Sequence, residues 1–89
     1  MRSRVEYSAA ARRALAFDLP EGVAAAAFEF IEGALSENPH RVGKALRGPL
    51  TGLHSARRGD YRVLYEIHDD RVVVRVVRVG HRRSAYRRP

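Results

Sequence analysis

The side chains best suited to bind or react with a substrate are arginines in two short stretches near the end of this sequence. Arg57 and Arg62 lie in "RRGDYRVLYEI" at 57–67, and Arg82 lies in "GHRRSAY" at 80–86. A guanidinium is planar, stays charged at neutral pH and binds two phosphate oxygens at once. If these arginines converge, they would hold a phosphodiester and stabilise the charge that develops on its phosphorus.

Such a cationic surface could cleave RNA without a metal or any other cofactor. The RNA 2′-hydroxyl supplies the nucleophile, so the protein needs only to orient it and to stabilise charge. Tyr86 could stack on a splayed base or donate a hydrogen bond to it. Because arginine is a poor general base, His81 is the best available proton acceptor, and His54 is a weaker candidate.

Other kinds of site find little support in the sequence. It contains no cysteine, and its histidines lack the spacing of metal ligands, so we expect no metal site. Ser55 neighbours His54, but adjacent residues of a strand point to opposite faces, which argues against a serine nucleophile. The "GKALRG" stretch lacks the spacing of a phosphate-binding loop and has no strand before it.

Positive charge is concentrated in the second half of the 89-residue chain. Residues 1–40 hold four arginines and six acidic residues, whereas residues 41–89 hold thirteen lysines and arginines and four acidic residues. A half with that excess attracts phosphates, although an acidic protein or an anionic membrane would suit it too. The absence of a leader or an apolar span favours the cytoplasm, and the length favours one domain, 1–89.

Hydrophobic periodicity predicts a strand and two helices in the first 40 residues. The strand covers 2–8, and Ser8 caps a first helix over 9–17. A second helix starts near Pro20 and ends at "ENP", residues 37–39. Its predicted buried stripe consists of Ala24, Ala27, Phe28, Ile31 and Leu35.

The second half is predicted to be a basic, loop-like connection over 40–53 followed by three strands with a turn at 68–71. The strands span 52–57, 60–68 and 71–79. The predicted fold class is α+β, with the N-terminal strand and helical hairpin packed on one face of a four-stranded, mainly antiparallel sheet.

In that fold the strand over 60–68 has one covered face and one open face. Tyr61 and Val63 would face the helices, whereas Arg62, Leu64 and Glu66 would face the other way. Arg75 and Arg78 on the last strand are interpreted as ordinary arginines that snorkel or pair with cross-strand acids.

Taken together, these stretches resemble the RelE toxins of bacterial toxin–antitoxin pairs, within the RelE/ParE superfamily. The motifs are "LRG", "GL" followed by "RRGDYRVLYEI", the valine strand, and "GHR" with a nearby tyrosine. They cover about half of the chain closely, and the strand–helix–helix–strand–strand–strand order fits the remainder. The resemblance implies a RelE-like fold of the microbial-ribonuclease type, mRNA cleavage in the ribosomal A site, and a hetero-oligomer with an antitoxin. An acidic, amphipathic segment of that antitoxin would wrap the toxin.

The resemblance also implies roles for individual residues. Arg62, Arg82 and Tyr86 match catalytic positions, whereas His81 is proposed as the proton acceptor because an imidazole titrates near neutral pH. The residues expected to contact RNA are Lys44, Arg47, Arg57, Arg58 and Arg83.

One departure from the family concerns proton transfer. Well-studied relatives carry lysines on the strand before "RRGDYR", where this chain has Leu53 and Ser55. One such lysine is a proposed general base or charge stabiliser, so its absence leaves the proton-transfer step unassigned. Two alternatives therefore stay open: a ParE-like inhibitor of DNA gyrase, and a non-catalytic module that binds RNA or an antitoxin.

Overall fold

A computed structural model describes residues 2–81, with His81 described by its backbone alone. It contains a five-stranded mixed sheet with the strand order β1-β5-β4-β3-β2. β1 runs parallel to β5, and the other neighbouring pairs are antiparallel. No helix in this part of the chain is long and apolar enough to cross a membrane. The strands are β1 (Arg4–Tyr7), β2 (Lys44–Ala45), β3 (His54–Arg58), β4 (Tyr61–His68) and β5 (Val73–His81).

Two helices form the predicted hairpin between β1 and the remaining strands. The first, α1 (Ala9–Arg13), continues as a π-helical turn (Ala14–Asp18), and the second, α2 (Glu21–Phe30), continues in the same way (Ile31–Leu35). The Ser8 hydroxyl caps α1, as predicted, by accepting a hydrogen bond from the Ala11 amide at 3.0 Å.

The core lies between this hairpin and one face of the sheet. Ala27, Ile31 and Leu35 of the second helix are fully buried against the central strands. Phe28 was predicted to belong to the same stripe, but it is 50% exposed and stacks on Tyr7. It lies on the flank of the stripe, beyond the edge of the sheet face that the buried residues cover. The core members on the strands are Ala56, Tyr61, Val63, Tyr65, Val74, Val76 and Val79.

The connection over 40–53 has more structure than the loop that was predicted. A short helix, α3 (Pro39–Val42), leads into β2, and a 3₁₀ turn (Gly48–Leu50) follows. Because β2 pairs with β3, the sheet has five strands and not four. Two residues are too short for hydrophobic alternation to reveal a strand, and Pro39 at the start of α3 ends the previous helix while beginning a new one.

The opposite face of the sheet carries the strand arginines. A bulge at Val77 shifts the β4–β5 register, so that Leu64 pairs with Arg78 and Tyr65 with Val76. Without the bulge, Arg75 and Arg78, three residues apart, would point to opposite faces. This face is not bare along its whole length, since Leu64 is only 4% exposed.

Candidate functional site

Two arginines face each other across β3 and β4. Arg57 pairs with Arg62 in the antiparallel register, and Arg62 pairs in turn with Gly80 on β5. Side chains at paired positions lie on the same face, and like charges placed directly opposite each other destabilise a sheet. Arg62 is half-buried and its Nε atom is shielded from solvent, whereas Arg57 is exposed. This arrangement favours a bound anion between the two guanidinium groups.

The two arginines belong to a larger cationic cavity of about 480 Å³, which we call the basic groove. None of the described residues that line it is acidic. It lies where α3 and β2 pass the edge of β3. Its lining therefore comes from β3 and β4, which carry the arginine pair, and from the connection that precedes β3. Its polar side chains come from Arg41, Lys44, Ser55, Arg57, Arg58 and Arg62.

The other end of the same sheet face has a different electrostatic character. Arg75 pairs with Glu66 on one side and with Glu6 on the other. His68 lies 3.0 Å from a carboxylate oxygen of Glu66. Opposite charges therefore alternate there, which supports the interpretation of Arg75 as an ordinary cross-strand partner.

A close backbone approach positions the α3–β2 corner of the basic groove. A Cβ atom at Gly43 would overlap the Tyr65 hydroxyl and lie 2.7 Å from the Ser55 carbonyl oxygen, so only glycine fits. The Tyr65 hydroxyl donates a hydrogen bond of 2.6 Å to the Pro39 carbonyl. Burial raises the pKa of Tyr65 to about 12, so its hydroxyl stays a donor. These contacts fix the segment that carries Arg41 and Lys44.

Arg58 reaches the basic groove from the helix side of the sheet edge. Its guanidinium carbon lies 4.6 Å from the centre of the Phe30 ring, and its Nη1 donates to the Arg57 carbonyl at 3.0 Å. The cation–π contact and the hydrogen bond hold the side chain in one place.

The described histidine side chains lie outside the basic groove. His54 stacks on Tyr65 with 5.5 Å between ring centres, and its other neighbour is His40 at 5.9 Å. His40 in turn lies 2.9 Å from a carboxylate oxygen of Asp69. Burial and the neighbouring His40 lower the pKa of His54. Alternation places this ring and Ser55 on opposite faces, so His54 is not positioned to act in the groove.

The structure brings four of the predicted residues together and adds one that was not predicted. Lys44, Arg57, Arg58 and Arg62 line the basic groove, as does Arg41, which was not singled out because it precedes the motifs that carry the family resemblance. Arg47 lies at the start of the 3₁₀ turn and is exposed, outside the groove lining.

The remaining predicted residues are at the end of the chain. His81 pairs with Tyr61 through its backbone. Arg82, Arg83 and Tyr86 lie outside the described residues, so their predicted roles stay predictions. Among residues 2–81, with the side chain of His81 left aside, no group of three or more histidine, aspartate or glutamate side chains could hold a metal ion.

A helical hairpin on one face of a small mixed sheet is also the fold of solved RelE structures. The chain belongs to this superfamily: residues 5–86 match the model of the ParE toxin of type II toxin–antitoxin systems. The resemblance predicted from the sequence is thereby confirmed.

Two curated relatives and one solved structure show how close the similarity is. The Toxin RelE of Mycobacterium tuberculosis is 55% identical over 69 residues, which is 78% of this chain and 71% of that protein. Toxin RelG of the same organism is 50% identical over 84 residues, which is 94% of this chain and 95% of the relative. A chain in the crystal structure of the RelBE2 toxin–antitoxin complex from M. tuberculosis is 48% identical with a TM-score of 0.88. That match covers 92% of this chain and 100% of the other. The predicted α+β fold is confirmed, with β2 as the additional strand.

Proposed function

We propose that this toxin is an endoribonuclease that cleaves mRNA on the ribosome in the cytoplasm and thereby inhibits translation. The observation that carries the proposal is the pairing of Arg57 with Arg62 inside a groove whose described lining has no acidic residue. Two like charges at paired positions are unfavourable in the free protein and become favourable once a phosphodiester lies between them.

The proposed reaction uses the nucleophile that RNA itself provides. The 2′-oxygen attacks phosphorus, the bond from phosphorus to the 5′-oxygen breaks, and the products are a 2′,3′-cyclic phosphate and a 5′-hydroxyl. Arg62, which is half-buried on a rigid strand, donates hydrogen bonds to the phosphoryl oxygens as their charge increases. Arg57 contacts the same phosphodiester from β3, Arg58 binds the flanking RNA backbone, and Arg82 is expected to join Arg62.

The first test of this proposal is the Arg62→Ala variant. Loss of one donor that stabilises the transition state should slow cleavage about 100-fold, or about 3 kcal/mol, and abolish growth arrest. Primer extension on ribosome-bound transcripts measures the cleavage directly and shows whether the cuts occur at fixed positions within codons.

The matched control is Arg75→Ala, which removes an arginine from the same sheet face but next to Glu66 and Glu6. This variant should arrest growth like the wild type. Thermal unfolding of both variants establishes that the fold survives. Full toxicity of Arg62→Ala would contradict the proposal.

A second candidate function follows from the family description, which names the ParE toxin. A ParE-like protein would inhibit DNA gyrase and would need no pair of arginines to bind a phosphodiester. In cells that express the toxin, intact messages together with double-stranded DNA breaks would support this candidate, whereas codon-positioned cuts support the ribonuclease.

We further propose that the toxin forms a hetero-oligomer with a cognate antitoxin. Support comes from the similar chain of the RelBE2 complex and from two exposed aromatic residues, Phe17 (82%) and Phe28 (50%), on the helical hairpin. An amphipathic, acidic segment would cover apolar surface and neutralise the basic groove. Co-expression should restore growth and yield a stable complex on size exclusion, and recovery of the toxin alone would contradict this assignment.

A further inference from the structure

Lys44, on β2, is the one lysine among the described residues that line the basic groove. It pairs with Ser55 in the antiparallel register of β2 and β3. Paired side chains lie on the same face of a sheet with Cβ atoms about 5 Å apart. The amino group of Lys44 therefore enters the groove that a lysine at position 55 would have entered.

The lining of the basic groove leaves few choices for proton transfer. Its described polar side chains are four arginines, Lys44 and Ser55. An arginine does not release its proton at neutral pH, and a serine hydroxyl is a weak acid that itself needs activation. Lys44 carries three ammonium protons and is the member of this set that can donate one to a reacting oxygen.

The strand order places Lys44 and Arg62 on opposite sides of the groove floor. β2 and β4 flank β3, and neighbouring strands lie about 4.8 Å apart, so the two backbones are about 9.6 Å apart. A phosphodiester above β3 would have the Arg62 guanidinium on one side and the Lys44 ammonium group on the other. In an in-line displacement the attacking and leaving oxygens also lie on opposite sides of phosphorus.

We propose that Lys44 is the general acid of the reaction and protonates the leaving 5′-oxygen, an inference that rests on the proposed ribonuclease function. As the bond from phosphorus to the 5′-oxygen breaks, its electron pair takes the proton from the ammonium group. The 2′-hydroxyl proton passes to solvent, and the neutral amine regains a proton from water. The proton donor thus lies on β2, opposite the small Ser55 of β3.

The decisive test compares two substrates in ribosome-dependent cleavage by the purified toxin. One is an ordinary mRNA, and the other carries sulfur in place of the 5′-bridging oxygen at the scissile position. A thiolate leaves without being protonated, so a general acid becomes unnecessary. Lys44→Ala should lose about 100-fold in rate on the ordinary mRNA and less than about threefold on the sulfur substrate. Arg62→Ala should be slow on both, because its role is to stabilise charge on phosphorus.

Two further variants separate proton donation from positive charge. Lys44→Arg keeps the charge but not the transferable proton, so it should be as slow as Lys44→Ala on the ordinary mRNA. The double variant Lys44→Ala/Ser55→Lys returns an ammonium group from the facing strand position and should recover at least tenfold of the lost rate. Arg13→Ala removes an exposed charge from α1 and should be unaffected.

Each contrary result bears on one proposal only. Equal slowing of Lys44→Ala on both substrates, or full activity of Lys44→Arg, would overturn the general-acid assignment. Wild-type rates for Lys44→Ala would do the same. A wild-type toxin that leaves ribosome-bound mRNA intact would instead refute the ribonuclease function itself. Because Lys44 is exposed on a two-residue edge strand, its replacement should not unfold the protein.

Discussion

His54 accepts a proton less readily in the folded protein than in the unfolded chain. Its Nδ1 is buried with no hydrogen-bond partner in the described part of the protein, and its ring stacks on Tyr65. Burial disfavours the charged imidazolium, and the neighbouring His40 lowers the pKa further. The His54 side chain thus packs as a neutral ring, which agrees with its position outside the basic groove.

The pH dependence of stability should reveal this neutral histidine. Since the folded pKa lies below the ordinary value of 6.5, the unfolded state binds more protons in the interval between them. The contribution of the neutral His54 ring to the free energy of unfolding is complete above about pH 6.5. It is lost as the pH falls through the folded pKa. Urea unfolding of His54→Phe from pH 7.5 to 5 should therefore show a weaker decline than the wild type.

The control for this measurement is His68→Gln, which removes a histidine that pairs with Glu66 on the other sheet face. This variant should retain the decline that His54 causes. An unchanged decline in His54→Phe would show that other groups dominate the acid sensitivity.

At the scale of elements, the α3–β2 corner depends on one glycine. The Gly43→Ala substitution forces a methyl group against the Tyr65 hydroxyl and the Ser55 carbonyl, so β2 must move away from β3. We expect a loss of about 1–3 kcal/mol in the free energy of unfolding, as for other overpacked sites. Cleavage should fall as well, because Lys44 moves with the strand. Chemical denaturation and the ribosome assay measure the two effects.

A glycine elsewhere in the chain provides the comparison. A Cβ atom at Gly33 would have no heavy atom within 4 Å, and this residue lies in a helical segment. Gly33→Ala should stabilise the protein by about 0.5–1 kcal/mol and leave cleavage unchanged. If both variants behaved alike, the close approach at Gly43 would not be what positions β2.

Alternation along β4 was enough to predict the face that Arg62 occupies, because that strand is long and its core residues repeat with period two. The basic groove as a whole could not be predicted. Arg41 and Lys44 reach it through the pairing of β2 with a strand ten residues further on, which depends on the Gly43 contact. The Val77 bulge likewise has no local signal, although it decides that Arg78 shares a face with Arg62.

At the scale of the whole molecule, the charge is divided between the two halves of the chain. Residues 1–40 carry a net charge of −2 and residues 41–89 a net charge of +9. The basic groove collects part of that excess on a single surface. Its field should draw in polyanions from beyond contact distance and weaken as salt screens it.

Binding to a cleavage-resistant RNA, with a 2′-deoxy sugar at the scissile position, should therefore depend steeply on salt. For single strands the slope of log K against log salt is about −0.7 per phosphate neutralised. Arg57→Ala should reduce the magnitude of this slope by about 0.7, as measured by fluorescence anisotropy. Arg71→Ala, on the exposed β4–β5 turn, should leave it unchanged. A slope unaffected by Arg57→Ala would mean that RNA binds elsewhere.

The position of β5 between β1 and β4 also determines how the sheet can assemble. The first strand of the chain and the fourth have no shared neighbour until Val73–His81 is in place. A chain without this strand lacks the centre of its sheet, so its remaining strands have no common partner on which to assemble. The basic groove also depends on this strand, because the backbone of Arg62 pairs with Gly80. Loss of β5 should therefore remove the sheet and the arginine face of the basic groove together.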